Sequence, residues 1–173
     1  EHVFAKILSY SKNLFENYNN TKKGDWKRFA GFDIKNKTIM ILGFGAIGKR
    51  VACLAEAFKM KVIVVDPFVD TDKYESFNDI SDAISDVDFL TLHTNLNEST
   101  FELVNKNSLS KCNEKLVIIN TSRGHVVSEI DIISMLKEKK IQAYLTDVIQ
   151  EEPMKKDNVI YKSHSEIFIS PHT

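Results

Sequence analysis

The sequence predicts an α/β protein in three layers, α/β/α, with a parallel sheet between helices. Three observations predict it. Short apolar runs rich in β-branched residues alternate with helical patterns along the chain. A turn carrying three glycines follows the first of these runs and opens a helix. The 173 residues, 43% hydrophobic and 27% charged, are enough for one buried core and neither disordered nor fibrous in composition.

Taken in order, Val3, Phe4, Ile7, Leu8, Leu14, Phe15 and Tyr18 recur at helical spacing from the first residue, so the chain is expected to begin inside a helix. Residues 19–32 are polar and carry Gly24, Trp26 and Gly31, which suits a connector whose Trp26 packs on a neighbour, in the core or at an interface. Strands are then expected at 38–42, 62–65, 89–92, 116–119, 143–145 and 167–169. The helix after the first strand places Ile47, Val51, Leu54, Ala55 and Phe58 on one face, toward the sheet. A later helix is expected to open at Ser128, whose hydroxyl caps the amides ahead, with Asp131 in its first turn and Ile132, Ile133 and Leu136 inward. The run Lys137 to Lys140 reads as its solvated end. The chain stops at Ser170-Pro171-His172-Thr173, directly after a strand, and reads as a piece of a larger protein.

Composition narrows the function. With 23 Lys plus Arg against 24 Asp plus Glu the net charge is -1, so no basic field is available for nucleic acid or an anionic membrane. Small-molecule chemistry is the expectation. Cys53 and Cys112 lie far from each other and from any metal-type histidine spacing, which argues against a disulfide framework or a metal site and for a reducing, cytoplasmic setting. No apolar run approaches the roughly 20 residues that span a bilayer.

The glycine turn is Gly43-Phe44-Gly45-Ala46-Ile47-Gly48, directly after the run 38–42. Its first glycine permits the tight turn, the second lets backbone approach a pyrophosphate, and the third lets helix and strand pack closely. The amides at the helix start then bind the anion. Asp66 ends the second strand about 20 residues on, where a carboxylate reaches the ribose hydroxyls and repels a 2'-phosphate. These features together indicate a Rossmann-type, doubly wound domain that binds NAD rather than NADP. A methyltransferase would also place an acid after its second strand, and the later motifs discriminate against it.

The segment Ile118-Ile119-Asn120-Thr121-Ser122-Arg123-Gly124-His125-Val126-Val127 resembles a signature of the D-isomer-specific 2-hydroxyacid dehydrogenases. Asp147-Val148-Ile149-Gln150-Glu151-Glu152-Pro153 and Ser170-Pro171-His172 resemble two more, in the same order, and the similarity covers essentially the whole chain. The resemblance implies an NAD-binding domain, residues 1–173, lacking a substrate-binding domain built from both termini, in a homodimer joined through the N-terminal helix region. It implies that Arg123 binds the substrate carboxylate, that His172 is the acid/base, and that Glu152 pairs with its imidazole. It further implies that Asp147 binds the nicotinamide carboxamide, with His93, Thr94, Asn95, Thr121, Ser122 and Arg123 lining the cofactor groove. Asn95 stands where the family often has proline, and the stretch 153–166 is shorter than usual.

Each residue also has a bland reading. An arginine before glycine in a loop is commonly solvated, and a Glu-Glu-Pro run commonly just ends an element. Arg123, Glu152 and His172 gain weight because all three follow apolar strands, at the carboxyl edge where doubly wound folds bind ligands. His2, His125 and His164 lack that support and read as structural or surface residues, although His125 neighbours Arg123. Two functions compete: an oxidoreductase moving a hydride between NAD(H) and a 2-keto acid/D-2-hydroxy acid pair, and an NAD(H)-sensing regulatory or co-repressor-like module of the same fold. Retention of all three side chains favours the enzyme.

Overall fold

The structure, a computed structural model, describes residues 1–69, 71–160 and 166–173. His164 lies outside the described residues. Helices α1 (His2–Ser11) and α2 (Leu14–Lys22) come first, followed by β1 (Thr38–Leu42), α3 (Ala46–Ala57), β2 (Lys61–Val65) and β3 (Glu75–Phe77). Then come β4 (Phe89–Leu92), β5 (Val117–Asn120), α4 (Glu129–Lys137), β6 (Ala143–Thr146) and β7 (Ile167–Ile169). Among the described residues seven strands form a sheet in the order β3-β2-β1-β4-β5-β6-β7, every pair parallel.

Alternation along the strands divides the core between two faces. Ile39, Ile41, Val62, Val64, Val117 and Ile119 pack with Val3, Phe4 and Ile7 of α1 and Val51, Ala52 and Ala55 of α3. Met40, Leu42, Ile63, Val65, Leu90 and Leu92 pack on the opposite side with Ile132, Ile133, Met135 and Leu136 of α4. This is the doubly wound, three-layer arrangement expected.

Several details depart from expectation. The first helical pattern is two helices, because Asn13 adopts a left-handed conformation (φ 49°) between α1 and α2. Leu14, Phe15 and Tyr18 are exposed rather than part of the core. Trp26 is 92% exposed and fills no part of the core. On α3 the inward stripe is Gly48, Val51, Ala52 and Ala55, while Ile47 lies out in solvent at 63% exposure. The Ser128 hydroxyl makes no cap to α4; Asp131 instead accepts from the Lys106 amide at 3.1 Å, tying the preceding loop to the helix start. Strand β3 was not expected, since Glu75-Ser76-Phe77 is a short, largely exposed edge without an apolar run.

The register puts the site at one level. Leu42 pairs with Val65 and Leu92, Leu92 with Asn120, Asn120 with Thr146, and Thr146 with Ile169. One row therefore ends these six strands. Gly43, Asp66, His93, Thr121, Asp147 and Ser170 each stand one residue beyond it.

Candidate functional site

The strand order reverses between β1 and β4, which opens a crevice at their carboxyl ends. Gly43 sits there with φ 92°, a conformation that favours glycine, and an added Cβ would lie 2.8 Å from the His93 carbonyl carbon. Gly48 seats α3 on β1, since its Cβ would come within 2.2 Å of the Gly43 oxygen. Gly45, the residue before α3, faces open space, leaving room for a ligand at the helix N-terminus. Phe44 is buried and meets Tyr74 edge-on at 5.6 Å. Its amide donates to Asp66 Oδ2 at 2.7 Å, and the Phe68 amide donates to Oδ1 at 2.9 Å. Asp66 thus both shapes the turn after β2 and stands at the groove wall.

That groove, of about 520 Å³, is lined by Gly43, Gly45, Asp66, His93, Thr94 and Asn95 among others. Phe44, Ala46, Ile47 and Gly48 build the turn and helix beside it and are not among its lining residues. Thr94 Oγ1 is buried without a hydrogen-bond partner among the described residues, an orphaned polar atom on a groove wall that a polar ligand would satisfy. Burial pushes the His93 imidazole down to about 4, and its Nε2 lies 2.9 Å from the Thr91 hydroxyl. His93 is therefore neutral at physiological pH. These residues fit a dinucleotide: an open helix start for a pyrophosphate, a carboxylate for ribose hydroxyls and an unsatisfied hydroxyl between.

A second groove, about 550 Å³, adjoins the ends of β6 and β7 and is lined by Asp147, Ile149, Glu152, Ser170 and His172 with neighbouring apolar residues. His172 Nδ1 lies 2.6 Å from Glu152 Oε2, while Glu152 Oε1 accepts from the Ile149 amide at 2.9 Å. Burial raises the Glu152 carboxyl, but the His172 ring and the Ile149 amide outweigh it, so the group sits below the usual carboxylate range. His172 has φ 51°, and its amide is held by the Asp147 carbonyl at 2.9 Å. Fixing a non-glycine residue there costs of order 1 kcal/mol or more, which the surrounding bonds offset.

Arg123 follows β5. Its Nη1 donates to the Ser122 carbonyl at 2.7 Å, and the residue is exposed. It does not line the Glu152–His172 groove. What joins the two segments is Gly124, where an added Cβ would come 2.1 Å from the Ile149 carbonyl, so the loop carrying Arg123 rests on the one carrying Glu152.

Asp147 is 5% exposed and its carboxylate is occupied within the chain. Ser170 Oγ donates to Oδ1, the Thr173 amide donates to Oδ2 at 3.0 Å, and His2 Nε2 lies 3.3 Å from Oδ1. Burial raises this carboxyl; the Ser170 hydroxyl, the His2 and Lys6 charges and the Thr173 amide more than reverse that, and it falls below the usual range. Thr121 is half-buried, and Ser122 directs its amide and hydroxyl to Asn120 Oδ1, both at 3.0 Å.

Three contributors were missed from sequence. His2 was set aside and stands against Asp147. Asn120, wholly buried, holds the Ser122 amide and the Arg123 carbonyl, the latter at 3.0 Å. Its signal was visible as a polar residue closing an apolar strand. Glu129, buried at the start of α4, accepts from the Gln150 amide at 2.6 Å and braces the Glu152 loop. His125 lies 5.9 Å from the Phe101 ring, a packing position.

A glycine turn opening a helix at the switch point, answered by an acid after the second strand, defines a dinucleotide-binding domain of the doubly wound class. Comparison with known proteins agrees and goes further. The chain belongs to the D-isomer specific 2-hydroxyacid dehydrogenase family, whose NAD binding domain matches residues 4–173. It is 33% identical to a D-3-phosphoglycerate dehydrogenase of Methanocaldococcus jannaschii over 95% of this chain and 34% of that protein. A glycerate dehydrogenase related protein from Thermoplasma acidophilum superposes with a TM-score of 0.87 at 33% identity, over 99% of this chain and 60% of that one. An acyclic imino acid reductase in complex with NADPH and D-Arg superposes at 0.89 with 28% identity, over 99% of this chain and 55% of that one. The chain thus spans about a third of the first relative and little more than half of the other two.

Proposed function

We propose that this chain is the cofactor-binding part of an NAD-dependent oxidoreductase that interconverts a 2-keto acid and a D-2-hydroxy acid. The observation that carries the reading is the His172–Glu152 pair, 2.6 Å apart, in a groove at the sheet edge that also bears the cofactor turn. Bound nicotinamide supplies the hydride chemistry. His172 protonates the keto oxygen in reduction and accepts the hydroxyl proton in oxidation. Glu152, occupying Nδ1, leaves Nε2 for that transfer and holds the ring's orientation. The donors of Arg123 not spent on Ser122 bind the substrate carboxylate in a planar fork.

Relatives named for phosphoglycerate, glycerate, hydroxypyruvate and glyoxylate chemistry support a small 2-keto or 2-hydroxy acid as substrate. Asp66 favours NAD over NADP, although one solved relative is a complex with NADPH. The domain alone is expected to bind cofactor without turnover, with a second domain completing the cleft, in a cytoplasmic homodimer. No helix among the described residues is long and apolar enough to cross a membrane.

The test is NADH oxidation by the full-length protein across a panel of 2-keto acids, with His172→Ala and calorimetric titration of NAD and NADP. A loss of roughly 10²-fold or more in kcat for His172→Ala is expected, the range for a general acid/base. Unimpaired turnover in that variant would sink the assignment, tighter NADP binding would sink the reading of Asp66, and NADH-dependent partner capture without turnover would favour a regulatory module.

A further inference from the structure

The side of α1 that faces the sheet edge carries a charge with no place in the chemistry above. Lys6 lies beside buried Ile7, and its ammonium donates to the Thr146 carbonyl at 2.8 Å and to Ser170 Oγ at 2.6 Å. The Ser170 hydroxyl donates to Asp147 Oδ1. The Asp147 carbonyl in turn holds the His172 amide at 2.9 Å, and its Oδ2 holds the Thr173 amide at 3.0 Å. One line of donors and acceptors therefore runs from the first helix, across the ends of β6 and β7, to the backbone of His172.

A lysine on a helix surface normally extends its head into water, since folding it back costs side-chain entropy. Here the amine is half-buried, and burial lowers its affinity for the proton while Asp147 raises it. The arrangement is maintained because Thr146 and Ser170 present acceptors where strand ladder bonds end, and because Asp147 needs a counter-charge. His2, one turn earlier, stands 3.3 Å from the same Asp147 oxygen and 3.4 Å from Ser170 Oγ.

We propose that Lys6 is a positioning residue: through Ser170 and Asp147 it fixes the backbone that carries His172, making α1 a support of the active site. It touches neither the reacting groups nor the cofactor turn. The proposal rests on the oxidoreductase reading for its kinetic consequence, and the anchoring itself is measurable without turnover.

The experiment compares the full-length protein with its Lys6→Met and Lys6→Arg variants, which keep the stem. In Lys6→Met, amide hydrogen exchange at Ser170, His172 and Thr173 is expected to quicken on the order of tenfold, reading loss of the anchor. With it kcat should fall about tenfold, the scale of a modest misalignment, while KM, NAD affinity and Tm stay close to wild type. Lys6→Arg should restore most of both. Unchanged exchange at those amides, or a kcat loss that follows a fall in Tm, would overturn the proposal. Should Lys6→Met fail to fold, Ser170→Ala cuts the same line beyond the helix and must quicken exchange at His172 and Thr173 in the same way. Absence of turnover in the wild type would refute the oxidoreductase reading and leave the exchange comparison to decide the anchor.

Discussion

His93 illustrates how a single side chain on the groove ties stability to pH. Its folded-state pKa of about 4 lies below the 6.5 of an unfolded chain, so between these values the unfolded chain binds a proton that the folded one refuses. The stability this represents is complete above pH 6.5 and is lost as the pH falls toward 4. Between pH 7 and pH 5 the loss is about 2 kcal/mol. Urea unfolding at the two pH values should show it, and His93→Asn, which does not titrate there, should flatten that part of the profile. An unchanged slope in the variant would show that His93 is not the group responsible. At this scale the sequence was most legible where chemistry is written in contiguous motifs. Gly43, Asp66, Arg123, Glu152 and His172 all occupy groove or loop positions at the sheet edge, as read. Lys6, 140 positions from Thr146, was unreadable because its meaning depends on a contact that only the folded chain makes.

Among elements, the connector after α2 depends on Asn17. Its Oδ1 accepts from the Phe29 amide and its Nδ2 donates to the Phe29 carbonyl, both at 3.0 Å, so one side chain imitates a strand partner for an otherwise irregular segment. Asn17→Ala should release residues 28–31, quickening their amide exchange about tenfold, consistent with roughly 1–2 kcal/mol for two lost hydrogen bonds. NAD affinity should not change, since none of residues 28–31 lines the groove at the glycine turn. If exchange there is unaltered, the clamp is not what orders the connector. The strands of the core were legible to within a residue or so because burial on both faces writes near-continuous apolar runs. The break at Asn13 was not, because Leu14, Phe15 and Tyr18 continue the helical spacing although they stay largely exposed in the fold. Strand β3 escaped because an edge strand needs no apolar signature.

For the whole molecule, Leu14, Phe15, Tyr18 and Trp26 leave large apolar side chains in solvent on α2 and the connector after it. A second copy of the chain covering them would account for that pattern, in line with the proposed homodimer. Sedimentation of the full-length protein should give a dimer that Trp26→Ala weakens by tenfold or more, the loss typical of a buried aromatic anchor. A monomeric wild type would dismiss the arrangement. Periodicity predicted the layers and the parallel sheet, since both follow from patterns within one element and the next. It could not show that the strands end level, because pairing register is a relation between segments distant along the chain.

That level ending has a mechanical meaning. Adjacent strand residues are about 3.3 Å apart and alternate in face, so a slip of one residue in any strand would lift its loop out of line and turn its first side chain away. The row of Leu42, Val65, Leu92, Asn120, Thr146 and Ile169 therefore acts as a datum from which groove depth is measured. Side chains just above it set what the groove presents to a ligand, whereas a deletion below it would misplace a whole wall of the site.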